Sequence, residues 1–179
     1  MTRHRIRWIA VTIAFVLVGF GVVLAVQHRT EPSTPRLVQA HDPAPTFSLT
    51  SIDDKPVASA ALKGKTYVVN FWNSWCIPCQ EEHQALVDFY GRHAGDPGFA
   101  MVGIVRDDTD DAVRRYVAKE GVPYPVALDP GARASLEFGT RGQPETYAIS
   151  PDGVIAGTRF GPSSVANLEQ LLAAARGQR

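Results

Sequence analysis

Residues 66–83 read TYVVNFWNSWCIPCQEEH. A β-branched and aromatic run, Thr66–Phe71, passes almost directly into a cysteine, and helical spacing then runs from Ile77 to about His93. No polar period interrupts Tyr67, Val68 and Val69, so the strand is expected to be buried on both faces. Cys76 thus opens a helix at the end of a buried strand, and Cys79 lies one turn further in. Pro78 falls in the first helical turn, where a missing N–H costs little. These are the only 2 cysteines in the chain.

A thiolate is the reactive form of cysteine, with an ordinary pKa of about 8.5. Unpaired N–H groups and the dipole at a helix start favour an anion. Cys76 is therefore read as the exposed nucleophile, and Cys79 as the thiol that resolves a mixed disulfide formed at Cys76. Other readings are weaker. A structural staple closing so short a loop would contribute only about 2 kcal/mol. Zinc would find Cys76, Cys79 and His83 but no fourth ligand nearby, where structural zinc takes four. Two unrelated buried thiols would not need the strand-to-helix junction. No metal and no cofactor are expected.

Positions three and four apart from Cys79 pass through Glu82, Leu86 and Phe89, with Ala85 beside them. That is the apolar stripe of the helix. Glu82 lies on it, whereas Glu81 groups with Gln84, Asp88 and Arg92 on the solvated side. A carboxyl group on a buried stripe should titrate high and could exchange a proton with Cys79. The alternative is a helix glutamate whose head reaches water.

The rest of the domain alternates strands and helices. A hairpin is expected around Asp53-Asp54, from Thr46–Thr50 and Lys55–Val57. Phe99–Val105 reads as a second buried strand and Asp110–Glu120 as an amphipathic helix stopped by Gly121 and Pro123. A short strand at Pro125–Leu128 and a helix near Ala132–Phe138 follow. Glu145–Ile149 and Val154–Phe160 flank the turn Ser150-Pro151-Asp152-Gly153. A last helix spans Ser163–Arg176, with Ser163 or Ser164 as its N-cap and Gly177 beyond its end. This order implies an α/β domain with a mixed sheet flanked by helices.

The 179 residues suffice for one such domain. Residues 1–26 carry Arg3, Arg5 and Arg7 and no acid, which leaves 15 basic and 18 acidic residues beyond them. A slightly acidic domain gives no reason to expect nucleic-acid binding. Trp8–Val26, WIAVTIAFVLVGFGVVLAV, holds no charge. At about 1.5 Å per residue, a helix of this length nearly crosses a hydrocarbon layer of about 30 Å. The organisation read from this is a cytoplasmic stretch 1–7, a transmembrane anchor 8–26, a proline-containing linker 27–43 and a domain 44–179. The arginines place the domain on the outer face of the cytoplasmic membrane. A cleaved signal peptide remains the alternative for the apolar run. Either way the domain is exported, into surroundings where disulfides persist.

TYVVNFWNSWCIPCQEEH resembles the active-site segment of thioredoxin-like proteins of the TlpA/ResA/DsbE (CcmG) group. FGTRGQPETYAISPDGVI, Phe138–Ile155, is similar to their second signature, and the likeness runs from about Ala44 to the C-terminus. The resemblance implies a thioredoxin-like fold with an N-terminal hairpin and a central βα insertion within Phe99–Leu136. It implies a cis Pro144, with the Gln143 backbone free to pair with a substrate strand. It also places Glu145 close to the cysteines and makes Trp75, with Trp72, a flanking aromatic at a docking surface; core packing is the alternative for Trp72.

The helix start favours the thiolate and an oxidising couple, whereas ionised Glu82 and Glu145 act the other way. No histidine separates the cysteines. The expected couple is reducing, nearer thioredoxin at about −270 mV than a strong oxidant at about −120 mV, and removing either carboxylate should raise the potential. The resemblance implies apocytochrome c as client, whose CxxCH thiols must be free before haem attachment, and a membrane thiol-disulfide carrier as reductant. A folding oxidant or isomerase, or a tethered binding module with an incidental CxxC, are the competing readings.

Overall fold

The central strand β3, Thr66–Trp72, is buried at every position. Because side chains alternate across a strand, its residues divide between two cores. Val68 and Trp72 join Leu86, Phe89, Met101 and Leu168 on one face. Tyr67, Val69 and Phe71 join Val102, Ile104, Phe138 and Tyr147 on the other. Asn70, the one amide side chain of the run, falls in register on the first face and is 0% exposed.

In this computed structural model the described residues are 8, 13, 15–21 and 39–177. The chain divides into two units, Met1–Thr34 and Pro35–Arg179. In the first, residues 15–21 are helical and exposed. Among the described residues no helix is long and apolar enough to cross a membrane. The expected stretch 1–7, the anchor 8–26 and the linker 27–43 lie mostly outside the described residues.

The second unit holds a seven-stranded sheet of order β2-β1-β5-β4-β3-β6-β7. The strands are β1 Ser48–Ser51, β2 Pro56–Ala58, β3, β4 Phe99–Val105, β5 Val126–Leu128, β6 Glu145–Ile149 and β7 Ile155–Phe160. β4 runs parallel to β3 and β5, while β6 is antiparallel to β3 and β7, and β1 is antiparallel to β2 and β5. The parallel centre with an antiparallel edge matches the alternating sequence pattern; the hairpin adds a second antiparallel edge.

The helices are α1 Ile77–His93, α2 Asp110–Glu120, α3 Arg133–Glu137 and α4 Val165–Gly177. Thr109 caps α2 by accepting a hydrogen bond from Ala112 N, and Gly121 ends it at φ 75°. α3 is shorter than the sequence suggests. A 3-10 turn, Pro130–Ala132, occupies its expected start, and buried Asp129 accepts hydrogen bonds from Ala134 N and Ser135 N at 3.0 and 2.8 Å. The N-cap of α4 is Ser164, whose Oγ accepts from Asn167 N at 3.3 Å. Gly177 is the last residue of α4 and not a residue beyond it. Backbone pairing also begins before the expected Ala44 boundary: His41 N donates to Ile155 O and Ile155 N to Asp42 O, at 2.8 and 2.9 Å. A strand edge offers unpaired groups, and residues 41–43 satisfy them.

β4 admits the Trp72 indole only because position 103 has no side chain. A Cβ there would lie 2.7 Å from Trp72 Nε1 and 3.1 Å from Tyr124 Cε2. Gly103→Ala is expected to destabilise the domain by about 1–3 kcal/mol through overpacking. Urea unfolding of the two proteins measures this, and an unchanged midpoint would contradict it.

Candidate active site

The turn after β3 places Cys76 at the N-cap of α1. Its carbonyl accepts hydrogen bonds from Cys79 N and Gln80 N, both at 3.1 Å, and Cys79 N also lies 3.2 Å from Cys76 Sγ. The two cysteines form a disulfide. The sulfurs therefore meet the positive end of the helix, where a thiolate is favoured once the bond opens. Cys76 is less open than a free nucleophile was expected to be. It is 6% exposed against 4% for Cys79, because the bond turns both sulfurs into the junction. Exposure passes instead to its neighbours Trp75 and Ile77, at 61% and 69%.

The buried stripe of α1 is Cys79, Glu82, Leu86 and Phe89. Glu82 is 2% exposed. Its Oε1 accepts from Asn70 Nδ2 at 2.8 Å, and its Oε2 accepts from Ser163 N at 2.8 Å. Asn70 Nδ2 also donates to Thr146 Oγ1 at 3.0 Å. Burial pushes the Glu82 carboxyl up from 4.5 to about 7, and the hydrogen bonds from Asn70 and Ser163 hold it from going higher. Glu82 follows Cys79 by three positions on one helical face, so a proton acceptor near neutrality stands beside the resolving thiol.

Glu145 occupies a different setting. It pairs in register with Phe71, which belongs to the second core, whereas its neighbour Thr146 shares the face of Glu82. The Glu145 carboxylate accepts from Arg141 N at 2.6 Å, Gly142 N at 2.9 Å and the Tyr147 hydroxyl at 2.8 Å. It is buried and fully engaged in holding the 141–144 loop, with no hydrogen bond to either cysteine. Strand alternation turns this side chain to the face of the second core, where its hydrogen bonds run to its own loop and to Tyr147. The Gln143–Pro144 peptide is cis. Gln143 Nε2 is buried with no hydrogen-bond partner among the described residues.

Trp72 is core, 5% exposed and packed on Tyr116 with ring centroids 5.1 Å apart. Trp75 stays exposed, its Nε1 donating to Asp107 O at 3.2 Å. The loop after β4 clamps the approach to Cys76 further. Asp108 Oδ2 accepts from Ser74 N at 2.7 Å, Asn73 Nδ2 donates to Arg106 O, and Arg106 reaches Thr140 Oγ1 at 3.0 Å. Asn70, Ser163 and Asp108 were missed by sequence reading. Asn70 had a signal, since a polar residue within a doubly buried strand requires a partner.

A strand-to-helix CxxC with a buried acid one turn on and a cis-proline loop has known counterparts. The profile of the family described as Redoxin matches residues 39–172. The chain belongs to the Redoxin family. Within it, the ResA/DsbE-like thioredoxin-fold group is supported by particular relatives. Thiol-disulfide oxidoreductase ResA of Bacillus thuringiensis (strain Al Hakam) is 31% identical over 129 residues, covering 72% of this chain and 74% of that protein. Thiol:disulfide interchange protein HelX of Rhodobacter capsulatus is 32% identical over 151 residues, covering 82% and 83%. The crystal structure of a thioredoxin-family thiol:disulfide interchange protein from Chlorobium tepidum TLS superposes with a TM-score of 0.68 at 35% identity, covering 78% of this chain and 99% of that one. This Redoxin-family chain is a thiol-disulfide oxidoreductase.

The Glu82 carboxyl makes stability depend on pH. Its folded value lies above that of the unfolded chain, so its contribution is fully present below about pH 4.5 and is lost as pH rises through about 7. The loss is on the order of 3 kcal/mol. Unfolding of the oxidised protein at pH 5 and pH 8, beside Glu82→Gln, measures it. The variant should show a flatter profile; parallel profiles would mean that the group titrates normally.

Proposed function

We propose that this oxidoreductase is a membrane-tethered, extracytoplasmic reductant whose client is the CxxCH disulfide of apocytochrome c. The observation that carries the reductant direction is the buried Glu82 carboxyl, raised to about 7 beside Cys79. When ionised it disfavours a neighbouring thiolate, and a disfavoured thiolate lowers the reduction potential of the couple. The client follows from the likeness to the ResA/DsbE group, and the tether from the uncharged run Trp8–Val26 behind three arginines.

The exchange proceeds in two steps. The Cys76 thiolate attacks one sulfur of the client disulfide, forming a mixed disulfide and releasing the client's first thiolate. Cys79 gives up its proton, with Glu82 as acceptor, and attacks Cys76 Sγ. The client's second thiolate leaves, and the Cys76–Cys79 disulfide seen here is the product. A membrane dithiol carrier then returns two electrons and two protons. Trp75 and Ile77 supply apolar contact for the client, and Gln143 supplies backbone for a client strand beside Pro144. Glu145 and Asp108 position the loops that flank the sulfurs.

A folding oxidant or isomerase is the second reading, favoured by the helix start at Cys76, which stabilises the thiolate. The reduction potential separates the two. A value near about −270 mV supports the reductant, and one above about −180 mV overturns it. Glu82→Gln should raise the potential on the order of 30 mV, a tenfold change in equilibrium. Glu145→Gln should leave it close to the parent value, since that carboxylate is held by its own loop. A shift in Glu145→Gln as large as in Glu82→Gln would refute that assignment. Deleting the gene should abolish haem-bearing cytochrome c; normal levels would rule out this client. Labelling of Cys76 in whole cells by a membrane-impermeant thiol reagent after reduction should succeed, and complete protection would contradict export.

A further inference from the structure

Beside the disulfide, between α1, β3 and α2, lies a small cavity of about 10 Å³, lined by Asn70, Trp72, Cys79, His83, Tyr116 and Tyr124 among others. That is just large enough for one water molecule. Two of these residues carry buried polar atoms with no hydrogen-bond partner among the described residues, Asn70 Oδ1 and Trp72 Nε1. Asn70 is 0% and Trp72 5% exposed. One is an acceptor and the other a donor, the pair a bridging water satisfies, and leaving both unmade would cost about 1–3 kcal/mol each.

His83 lines the same cavity and also reaches the surface. Its Nε2 lies 3.1 Å from Glu120 O. A carbonyl oxygen only accepts, so Nε2 carries the proton in the neutral ring and Nδ1 is left as the base. The Tyr116 ring meets the imidazole edge-on at 5.7 Å and fixes its orientation. Glu82, by contrast, has both oxygens occupied by Asn70 and Ser163 and is sealed from solvent. A proton it accepts needs a way out.

We propose that His83, through one water held by Trp72 Nε1 and Asn70 Oδ1, is the proton exit from the Cys79–Glu82 pair to solvent. In the resolving step the Cys79 thiol gives its proton to Glu82, and the pair loses it to the water, which passes one to His83 Nδ1. The Cys79 thiolate then attacks Cys76 Sγ, the new disulfide forms, and the bound partner leaves as a thiolate. The imidazolium sheds its proton to bulk water. When a dithiol reduces the domain, the same path runs inward. The titratable groups that meet His83 are Tyr116 and Glu120 on α2, and Tyr124 on the following segment lines the same cavity. Lys119 and Glu120 are paired with each other at 2.5 Å. The tyrosines stay neutral, since burial raises both hydroxyls.

This inference rests on the thiol-exchange reading and not on the client. The test therefore uses oxidised glutathione. The reduced full chain is mixed with it, and the fast formation of the Cys76–glutathione mixed disulfide is followed by its slower resolution by Cys79. His83→Gln keeps size and polarity but not the base. Resolution should slow at least tenfold near pH 7, while the first phase and the reduction potential stay unchanged. His83→Ala should slow equally and recover with added imidazole. A crystal structure of the protein should show a water between Trp72 Nε1 and Asn70 Oδ1. An unaltered rate in His83→Gln, no recovery of His83→Ala with imidazole, or an empty cavity would overturn the relay. Failure of the parent protein to resolve the mixed disulfide at all would instead overturn Cys79 as the resolving thiol.

Discussion

A carboxyl group buried on the apolar face of α1 is the constraint around which the site is arranged. Sealing Glu82 from water penalises its charge, and the domain answers with donors from two other elements. Asn70 comes from the middle of β3, and Ser163 from the turn before α4. Asn70 is itself anchored by Thr146 of β6. One side chain thus ties a helix, two strands and the start of the last helix. Its partners lower the penalty without removing it, so the group titrates near neutrality instead of in the ordinary carboxylate range. A group of that kind changes charge where thiol exchange takes place.

The sulfurs are held from the other directions by loops. Backbone N–H groups at the start of α1 supply the field that makes cysteine chemistry feasible. Asp108 grips Ser74 from the β4–α2 loop, and Trp75 leans on Asp107 of the same loop. Across the sheet, Glu145 collects the amides of Arg141 and Gly142 and sets the segment that ends in Pro144. Two acids close in sequence signature thus serve different ends. Glu82 meets the thiol side, while Glu145 meets its own loop. Sheet alternation separates them, because adjacent residues of β6 face opposite cores.

Most of the fold was legible along the chain. Elements with unbroken periodicity, such as Ile77–His93, Phe99–Val105, Asp110–Glu120 and Glu145–Ile149, kept their expected bounds. The short elements shifted, since a five-residue helix or three-residue strand carries too little pattern to mark its ends. α3 is the example: its start depends on Asp129 capping from a distance, beyond any local period. At the site, the stripe Cys79, Glu82, Leu86, Phe89 was readable because helical spacing alone specifies a face. The burial of Cys76 was not, because it depends on what closes over the junction.

By itself, then, the order of residues determined the strand-to-helix placement of the CxxC, the burial of Glu82 and the mixed sheet, since each follows from local period and composition. Tertiary structure alone decided which partners meet that carboxyl, which core Glu145 faces, and how Trp72, His83 and Asn70 come to enclose one small cavity beside Cys79. Those contacts join residues distant along the chain, and their geometry comes from strand register and packing, which no local pattern encodes.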